Sequence, residues 1–411
     1  MEKITWKILC VMKFVLSFIV LCGLVLGVLP GLTWAGGLYM NEFGTTSMGV
    51  AGAGAQAVAN DASTSFHNPA GMTLLSGSEF MQATGFLYAD MNFDPAHDTP
   101  ESGGDGGRAG GVGPMINGFY VHSLTDDLKV GVNLVSITGS VLDNDNDWTG
   151  RYLIQNLDLM TVTLQPTVAY RINDWLSVGA GVFATYASLN MTTAVPLPFG
   201  DSQLKVDGKD VAYSYDVGVL IELSELTRFG IIYYSGFEPD FDGDFQIRDL
   251  GIKLSSDTKL KFPQMIKTGI YHELNDKFAL LGSLGWEDWS TLQNLKISLS
   301  ESTIRMPRRW HDTWHYSVGL HYRPVKPWLL QLGFAYDTSP VDSVDRTPDM
   351  PMDRQIRYAV GVQYDWNEKL ALGGAFEFAD YGDGKIKNDL LKGDFQKQNI
   401  YFFALHVKYK F

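Results

Sequence analysis

The chain has 411 residues, 45% of them hydrophobic and 13% aromatic, and only 19% charged. Low charge with many aromatics excludes a disordered chain, whose composition is the reverse. A net charge of −14 excludes a nucleic-acid binder, which needs a basic footprint on phosphate.

The first element is a targeting segment. Lys3, Lys7 and Lys13 make a basic start, residues 14–29 an apolar core, and Pro30 and Gly31 break it. Thr33-Trp34-Ala35 sets small residues at the −3 and −1 positions, so residues 1–35 read as a signal peptide cleaved after Ala35. The apolar run is short of the roughly 20 residues that a retained spanning helix needs. Cys10 and Cys22 both fall in this segment, which leaves a mature chain without cysteine. Its stability must come from elsewhere, such as a large closed hydrogen-bond network. No later stretch of about 18 apolar residues occurs, so no further spanning helix is expected.

Residues 36–78 come next, rich in Gly and Ala, and read as short helices and tight turns. Gly52-Ala53-Gly54-Ala55-Gln56-Ala57 has the spacing of a dinucleotide-binding turn but no βαβ unit around it, so it reads as a packing segment. Phe43, Met48, Val50, Val58, Phe66, Met72, Leu74 and Leu75 need a partner surface, which argues against a disordered tail.

From residue 79 to 411 the pattern alternates. Tyr401, Phe403, Leu405, Val407, Tyr409 and Phe411 share one face of a strand, while Ile400, Phe402, Ala404, His406, Lys408 and Lys410 share the other. Trp310, Trp314, Tyr316, Val318, Leu320 and Tyr322 form a second such face, broken by Asp312. Met160, Val162, Leu164, Val168 and Tyr170 form a third, and Leu330, Leu332, Phe334 and Tyr336 a fourth. Six tight turns are predicted, near residues 125–127, 173–174, 223–225, 275–276, 324–327 and 367–368. Seven longer polar connections are predicted near 91–112, 140–156, 192–208, 245–257, 300–311, 338–352 and 382–395.

Short turns on one side and long loops on the other are the outer-membrane barrel pattern, and these numbers give about fourteen strands. Closure follows from the bilayer, where each unpaired backbone group of an open edge costs several kcal/mol. A soluble β-sandwich does not account for the aromatic terminal strand or the loop asymmetry. The fold class is therefore all-β: a transmembrane antiparallel β-barrel over residues 79–411, preceded by a small N-terminal helical hatch (residues 36–78) that plugs the lumen. A barrel this wide leaves a bore that must be filled.

Other signals carry no chemistry. His311 and His315 lie about 13 Å apart along a strand, too far for one metal ion, and read as lumen polar residues. No GxSxG elbow occurs. Asp143-Asn144-Asp145-Asn146-Asp147 lacks the Gly and terminal Glu of an EF-hand loop and reads as a solvated loop. The sequence offers no catalytic, cofactor-binding or metal-ligating constellation. Arg305, Arg308 and Arg309 cluster beside a long connection, where they can meet a ligand carboxylate or the phosphates of lipopolysaccharide.

Several runs resemble one family. Ala59-Asn60-Asp61-Ala62, Phe66-His67-Asn68-Pro69-Ala70-Gly71-Met72 and the start Gly36-Gly37-Leu38-Tyr39-Met40-Asn41-Glu42 look like the plug signature of the FadL/TodX outer-membrane transporters. Gln165-Pro166-Thr167-Val168-Ala169-Tyr170, Phe262-Pro263, Trp286-Glu287-Asp288-Trp289-Ser290, Trp310-His311-Asp312-Thr313, Ala335-Tyr336-Asp337-Thr338-Ser339-Pro340-Val341 and Pro348-Asp349-Met350-Pro351-Met352-Asp353-Arg354 follow in order along the chain. The resemblance implies a fourteen-stranded barrel with a hatch. A ligand is captured at the extracellular loops, passed to a lumen pocket and released by hatch rearrangement through a gap in the wall. It places Phe66, Asn68, Pro69, Ala70 and Met72 in the hatch element near that pocket.

The expected function is passive uptake of long-chain fatty acids or similar hydrophobic molecules across the bacterial outer membrane, without enzymatic activity or cofactor. The alternatives are a channel for aromatic or other hydrocarbons, and a general porin. Expected partners are the hydrophobic ligand, outer-membrane lipid and lipopolysaccharide, and the barrel-assembly machinery through Phe411.

Overall fold

A computed structural model of the chain describes residues 44–300 and 302–411. The signal-peptide reading of 1–35, the motif at 36–42 and Phe43 lie outside the described residues.

Fourteen strands make the wall: β1 (Glu79–Pro95), β2 (Val112–Ser123), β3 (Leu128–Val135), β4 (Asn156–Asn173), β5 (Leu176–Leu197), β6 (Gly200–Ser224), β7 (Thr227–Tyr234), β8 (Met265–Asn275), β9 (Phe278–Glu287), β10 (Thr313–Tyr322), β11 (Trp328–Asp337), β12 (Gln355–Asp365), β13 (Leu370–Asp380) and β14 (Lys392–Lys410). Each pairs antiparallel with the next, and β14 pairs back onto β1, from Glu79 opposite Lys410 to Pro95 opposite Gly393. Among the described residues the strands close into a ring, as a wall in hydrocarbon requires.

Alternation decides what faces lipid. Phe403, Leu405, Val407 and Tyr409 are exposed on the outer side of β14, while Phe402, Ala404, His406 and Lys408 are buried on the inner side. Leu330, Leu332 and Phe334 on β11, and Val168 and Tyr170 on β4, are exposed outward in the same way. The face at residues 310–322 is shorter than its apolar pattern: β10 begins at Thr313, and Trp310 turns inward, 3% exposed, edge-on to Trp289 at 5.0 Å. An aromatic at the membrane rim satisfies the same spacing whether it continues the strand or folds back over the bore.

All six short turns lie between the predicted strand pairs. Three are held by an asparagine side chain that takes the place of a backbone acceptor. Asn173 Oδ1 accepts from the Trp175 N–H, Asn275 Oδ1 from Lys277 and Phe278, and Asn367 Oδ1 from Lys369 and Leu370.

Three of the long connections differ from expectation. Residues 192–208 are not a loop: β5 and β6 continue upward until Leu197 faces Gly200, leaving a two-residue turn. Residues 245–257 form two strands, Asp240–Ile247 and Ile252–Lys259, around the helical turn Arg248–Leu250. Asn294–Leu299 and Ser302–Pro307 pair within the 288–312 segment and extend the same sheet. Above the membrane a strand is wetted on both faces, so its polar composition resembles that of a loop. Cross-strand ion pairs mark it instead, with Lys253 Nζ 2.8 Å from Asp244 and Lys259 Nζ 2.8 Å from Asp240.

The hydrophobic core lies inside the bore. Four helical turns, Thr46–Val50, Ala55–Val58, Thr64–His67 and Pro69–Leu74, sit in the lumen at the short-turn end with nearly every residue buried.

Candidate functional site

The inner face of the wall is graded along its length. On β5 the inward residues near the hatch are Ser177, Gly179 and Gly181, while higher up they are Phe183, Thr185, Ala187, Leu189 and Met191, mostly apolar. Glycines at hatch level make room for backbone. A methyl group on Gly218 would overlap Asn68 Oδ1, one on Gly230 the Gln56 carbonyl oxygen, and one on Gly333 the Val50 carbonyl.

Asn68 fastens the hatch to this seat. Its Nδ2 donates to the carbonyls of Gln56 at 2.8 Å and Val219 at 3.0 Å, and its Oδ1 accepts from the Ala70 N–H at 3.2 Å. Pro69 starts the next helical turn, where its missing N–H costs nothing. Pro69 and Ala70 pack on Gly179, and Met72 on Gly131, with the Thr167 hydroxyl directed at its sulfur. Phe66 lies 6.4 Å from the ring of Phe119 on β2. Further ties reach around the barrel: Ser65 Oγ to Asn133 at 2.6 Å, Thr73 Oγ1 to Ser177 at 2.7 Å, Gln331 Nε2 to the Thr46 carbonyl at 3.2 Å, and the Gly54 N–H to Ser283 at 2.8 Å.

Two ionisable groups stand at the centre of the hatch. Burial opposes the charge of Asp61, but Lys408 at 3.6 Å and hydrogen bonds from Ser63 and Thr46 outweigh it and hold the carboxyl below its ordinary value. His67 is buried among hydroxyls, its Nε2 2.9 Å from Ser47 Oγ and 3.0 Å from Thr45 Oγ1. Burial lowers its pKa to about 4, against the partial pull of the Asp61 charge and with help from Lys267. The ring is therefore neutral at ordinary pH.

Directly over the hatch lies a chamber of about 60 Å³. Its floor is hatch (Gly52, Ala55, Gln56 and His67), and its upper walls include Trp289, Trp310, Pro340 and Met352. Two ion pairs line it. Lys267 Nζ is 3.1 Å from Glu287 Oε1, and Arg357 Nη2 is 2.7 Å from Asp337 Oδ2. Above it the apolar cluster continues through Phe183, Phe237, Phe241, Phe262 and Phe395 to Phe93 and Trp148 beneath the long loops. A packed apolar core thus extends from beneath the long loops down to the chamber over the hatch.

Among the described residues the wall is broken between β2 and β3. Beyond Gly118 opposite Leu134, β2 has no partner on its β3 side. The chain leaves the wall at residues 136–138, and Gly139–Asp143 re-pairs with β4 only. Gly139, Ser140, Val141 and Leu142 are all buried, whereas a wall strand would show every second residue to lipid. Thr161 pins this departure, giving its Oγ1 hydrogen to the Thr138 carbonyl at 2.6 Å and accepting from the Thr138 N–H at 3.2 Å. Met115, on the unpartnered stretch of β2, packs against Gly44 at the start of the described hatch.

Phe66, Asn68, Pro69, Ala70 and Met72 come together on the side of the hatch that meets β2 to β7, and the chamber lining is their neighbour His67 with Gln56. Of the basic cluster, Arg308 is 1% exposed and bonded to Asp349 at 2.5 Å, and Arg309 is paired with Asp345 at 2.8 Å. Arg305 is exposed on the outer ribbon. His311 is on an extracellular connection and His315 lines the chamber. The chamber's charged pairs were not singled out from sequence. Lys267, Glu287 and Arg357 sit on wall strands, where a charge is costly unless it is paired.

Comparison with known proteins agrees with this geometry. A family model described as outer membrane protein transport protein (OMPP1/FadL/TodX) matches residues 26–411. The long-chain fatty acid transport protein of Escherichia coli (strain K12) is 24% identical over 389 residues, covering 82% of this chain and 86% of that one. A crystal structure of a Pseudomonas aeruginosa FadL homologue superposes with a TM-score of 0.83 at 21% identity, covering 92% of this chain and all of that one. The Ralstonia pickettii toluene transporter TbuX superposes with a TM-score of 0.66 at 16% identity, over 92% of this chain and 98% of that one.

Proposed function

The chain belongs to the OMPP1/FadL/TodX family of outer-membrane transport proteins, and from that premise we propose that it carries long-chain fatty acids or similar hydrophobic molecules passively across the outer membrane, gated by its hatch. The observation that carries this reading is the apolar core that runs from beneath the extracellular loops to the chamber, over a bore stoppered by the hatch. A water-filled porin has neither feature. Solubility rather than chemistry is the obstacle such a protein removes. At about 0.8 kcal/mol per buried methylene, a sixteen-carbon chain gains roughly 12 kcal/mol on leaving water.

In this reading Asn68, Pro69 and Ala70 with Phe66 and Met72 form the fastening of the hatch, and ligand arrival above them loosens it. The exit is the break beside β2, which the Met115–Gly44 contact keeps closed; support comes from the inward turn of Gly139–Asp143 at the hatch's edge. The exposed Arg305 faces the lipopolysaccharide phosphates, and the exposed Phe411 ring is offered to the assembly machinery.

The test is complementation. In a strain stripped of its own transporters of this family, the chain should restore uptake of radiolabelled oleate or of an uncharged long-chain compound. Correctly assembled barrel that restores uptake of neither would overturn the reading.

A further inference from the structure

The chamber over the hatch contains two cations, and both are already matched. Glu287 holds Lys267 at 3.1 Å with one oxygen, and its other oxygen accepts from Trp289 Nε1 at 2.9 Å. Asp337 holds Arg357 at 2.7 Å with one oxygen, and its other oxygen lies 2.8 Å from His315 Nδ1. Glu377, 2% exposed, stands a further 3.9 Å from Arg357. Lys267 and Arg357 are matched one for one by Glu287 and Asp337, and Glu377 stands by as a further carboxyl. Every one of these carboxylates is pinned by a second partner or by burial, so none swings aside cheaply.

An ionised head group entering here adds a further negative charge to a desolvated space that has no unspent positive one. A hydroxyl, aldehyde or ester needs only hydrogen bonds. Thr313, Gln355 and Gln56 line the chamber and carry neutral groups of that kind. At about 60 Å³ the space fits a head group and not a chain, while Trp289, Trp310 and Met352 provide an apolar path for the chain above it.

We propose that this chamber is a binding site for hydrophobic molecules with an uncharged hydrogen-bonding head, such as long-chain alcohols, aldehydes and esters, and that it discriminates against the ionised carboxylate of the same chain length. The inference rests on the reading of the chain as a transporter of hydrophobic compounds and names the chemical class its lumen takes.

The experiment compares dodecan-1-ol with dodecanoate at pH 8 on the purified full-length chain, by quenching of tryptophan fluorescence. The alcohol is expected to bind at least about tenfold more tightly. Because the alcohol is also the more apolar molecule, the Glu287→Gln variant carries the decision. It removes one negative charge, leaves Lys267 without its counter-ion and keeps an oxygen for Trp289. The alcohol-to-carboxylate preference should fall by roughly tenfold, an interaction change of about 1.4 kcal/mol. Asp337→Asn, which does the same to the other pair, should move it in the same direction if Glu287→Gln fails to assemble. A preference unchanged in the assembled variant, or dodecanoate binding as tightly as dodecanol to the unaltered chain, would overturn this inference and leave the transport reading standing. Binding of neither compound would overturn both.

Discussion

His67 is held as a neutral ring by its surroundings, and that gives the hatch a pH dependence of definite sign. The ring is faced by Ser47 and Thr45 hydroxyls, by the Asp61 carboxylate and, from β8, by Lys267. Its pKa is about 4 when the hatch is seated and near the ordinary 6.5 when the ring is released to water. Between those values the released state binds the proton and the seated state does not, so seating weakens as pH falls from 6.5 to 4. Asp61, whose carboxyl is depressed in the seated hatch, adds a loss of the same sign below its ordinary 3.8. Planar-bilayer recordings should therefore show conducting bursts becoming at least about tenfold more frequent from pH 6.5 to pH 4. In His67→Gln that window should be flat. A seated hatch indifferent to acid would remove His67 from the fastening.

At the scale of the element, the break in the wall after β3 depends on one side chain. Thr161 Oγ1 both donates to and accepts from the backbone of Thr138, 23 residues away. Thr161→Val keeps the shape and removes both bonds, leaving a buried N–H and carbonyl unpaired at a cost of about 1–3 kcal/mol each. Amide exchange over residues 136–143 should quicken by tenfold or more, while β10 to β13 remain protected. Equal protection in the variant would mean that Thr161 does not hold the departure. A break of this kind was hidden in the sequence, because Ser136, Ile137 and Thr138 continue a strand-like composition across it. The turns at Asn173, Asn275 and Asn367 were legible because a local side chain makes them. The ribbon strands above the membrane were not, because their pairing partners are distant and both of their faces are polar. The hatch motif was visible at residues 66–72, yet its seat was not: Asn68 is bonded to Val219, 151 residues further on. The chamber's ion pairs join neighbouring strands, β8 with β9 and β10 with β11 and β12, and were not legible because they depend on strand register, which sets Met265 opposite Glu287 and His315 opposite Asp337.

For the whole molecule, the question is whether barrel and hatch are separable. The wall closes through a ladder between β1 and β14 that runs nearly the full length of both strands, and none of it passes through the hatch. The hatch instead rests on side-chain bonds to the wall and on close packing over glycines, and its four helical turns have only four to six residues each. Helices that short do not stand alone in water. Deleting residues 44–75 should therefore leave a barrel that still assembles and still shows heat-modifiable migration on a gel. The bore it leaves would be lined at the short-turn end by the exposed inner faces of Ser177, Gly179, Asp216, Gly218, Ser283 and Gln331, a polar surface that water can fill. Bilayer recordings of the deleted form should show large, steady, poorly selective conductance where the intact chain shows little, and retention of dodecanol through gel filtration should be lost. If the deleted form instead fails to assemble, the hatch is a folding core rather than a stopper, and the wall's closure depends on it. If it assembles and stays silent, the inner faces of the strands collapse on one another, and the glycine seats would be what permits that collapse.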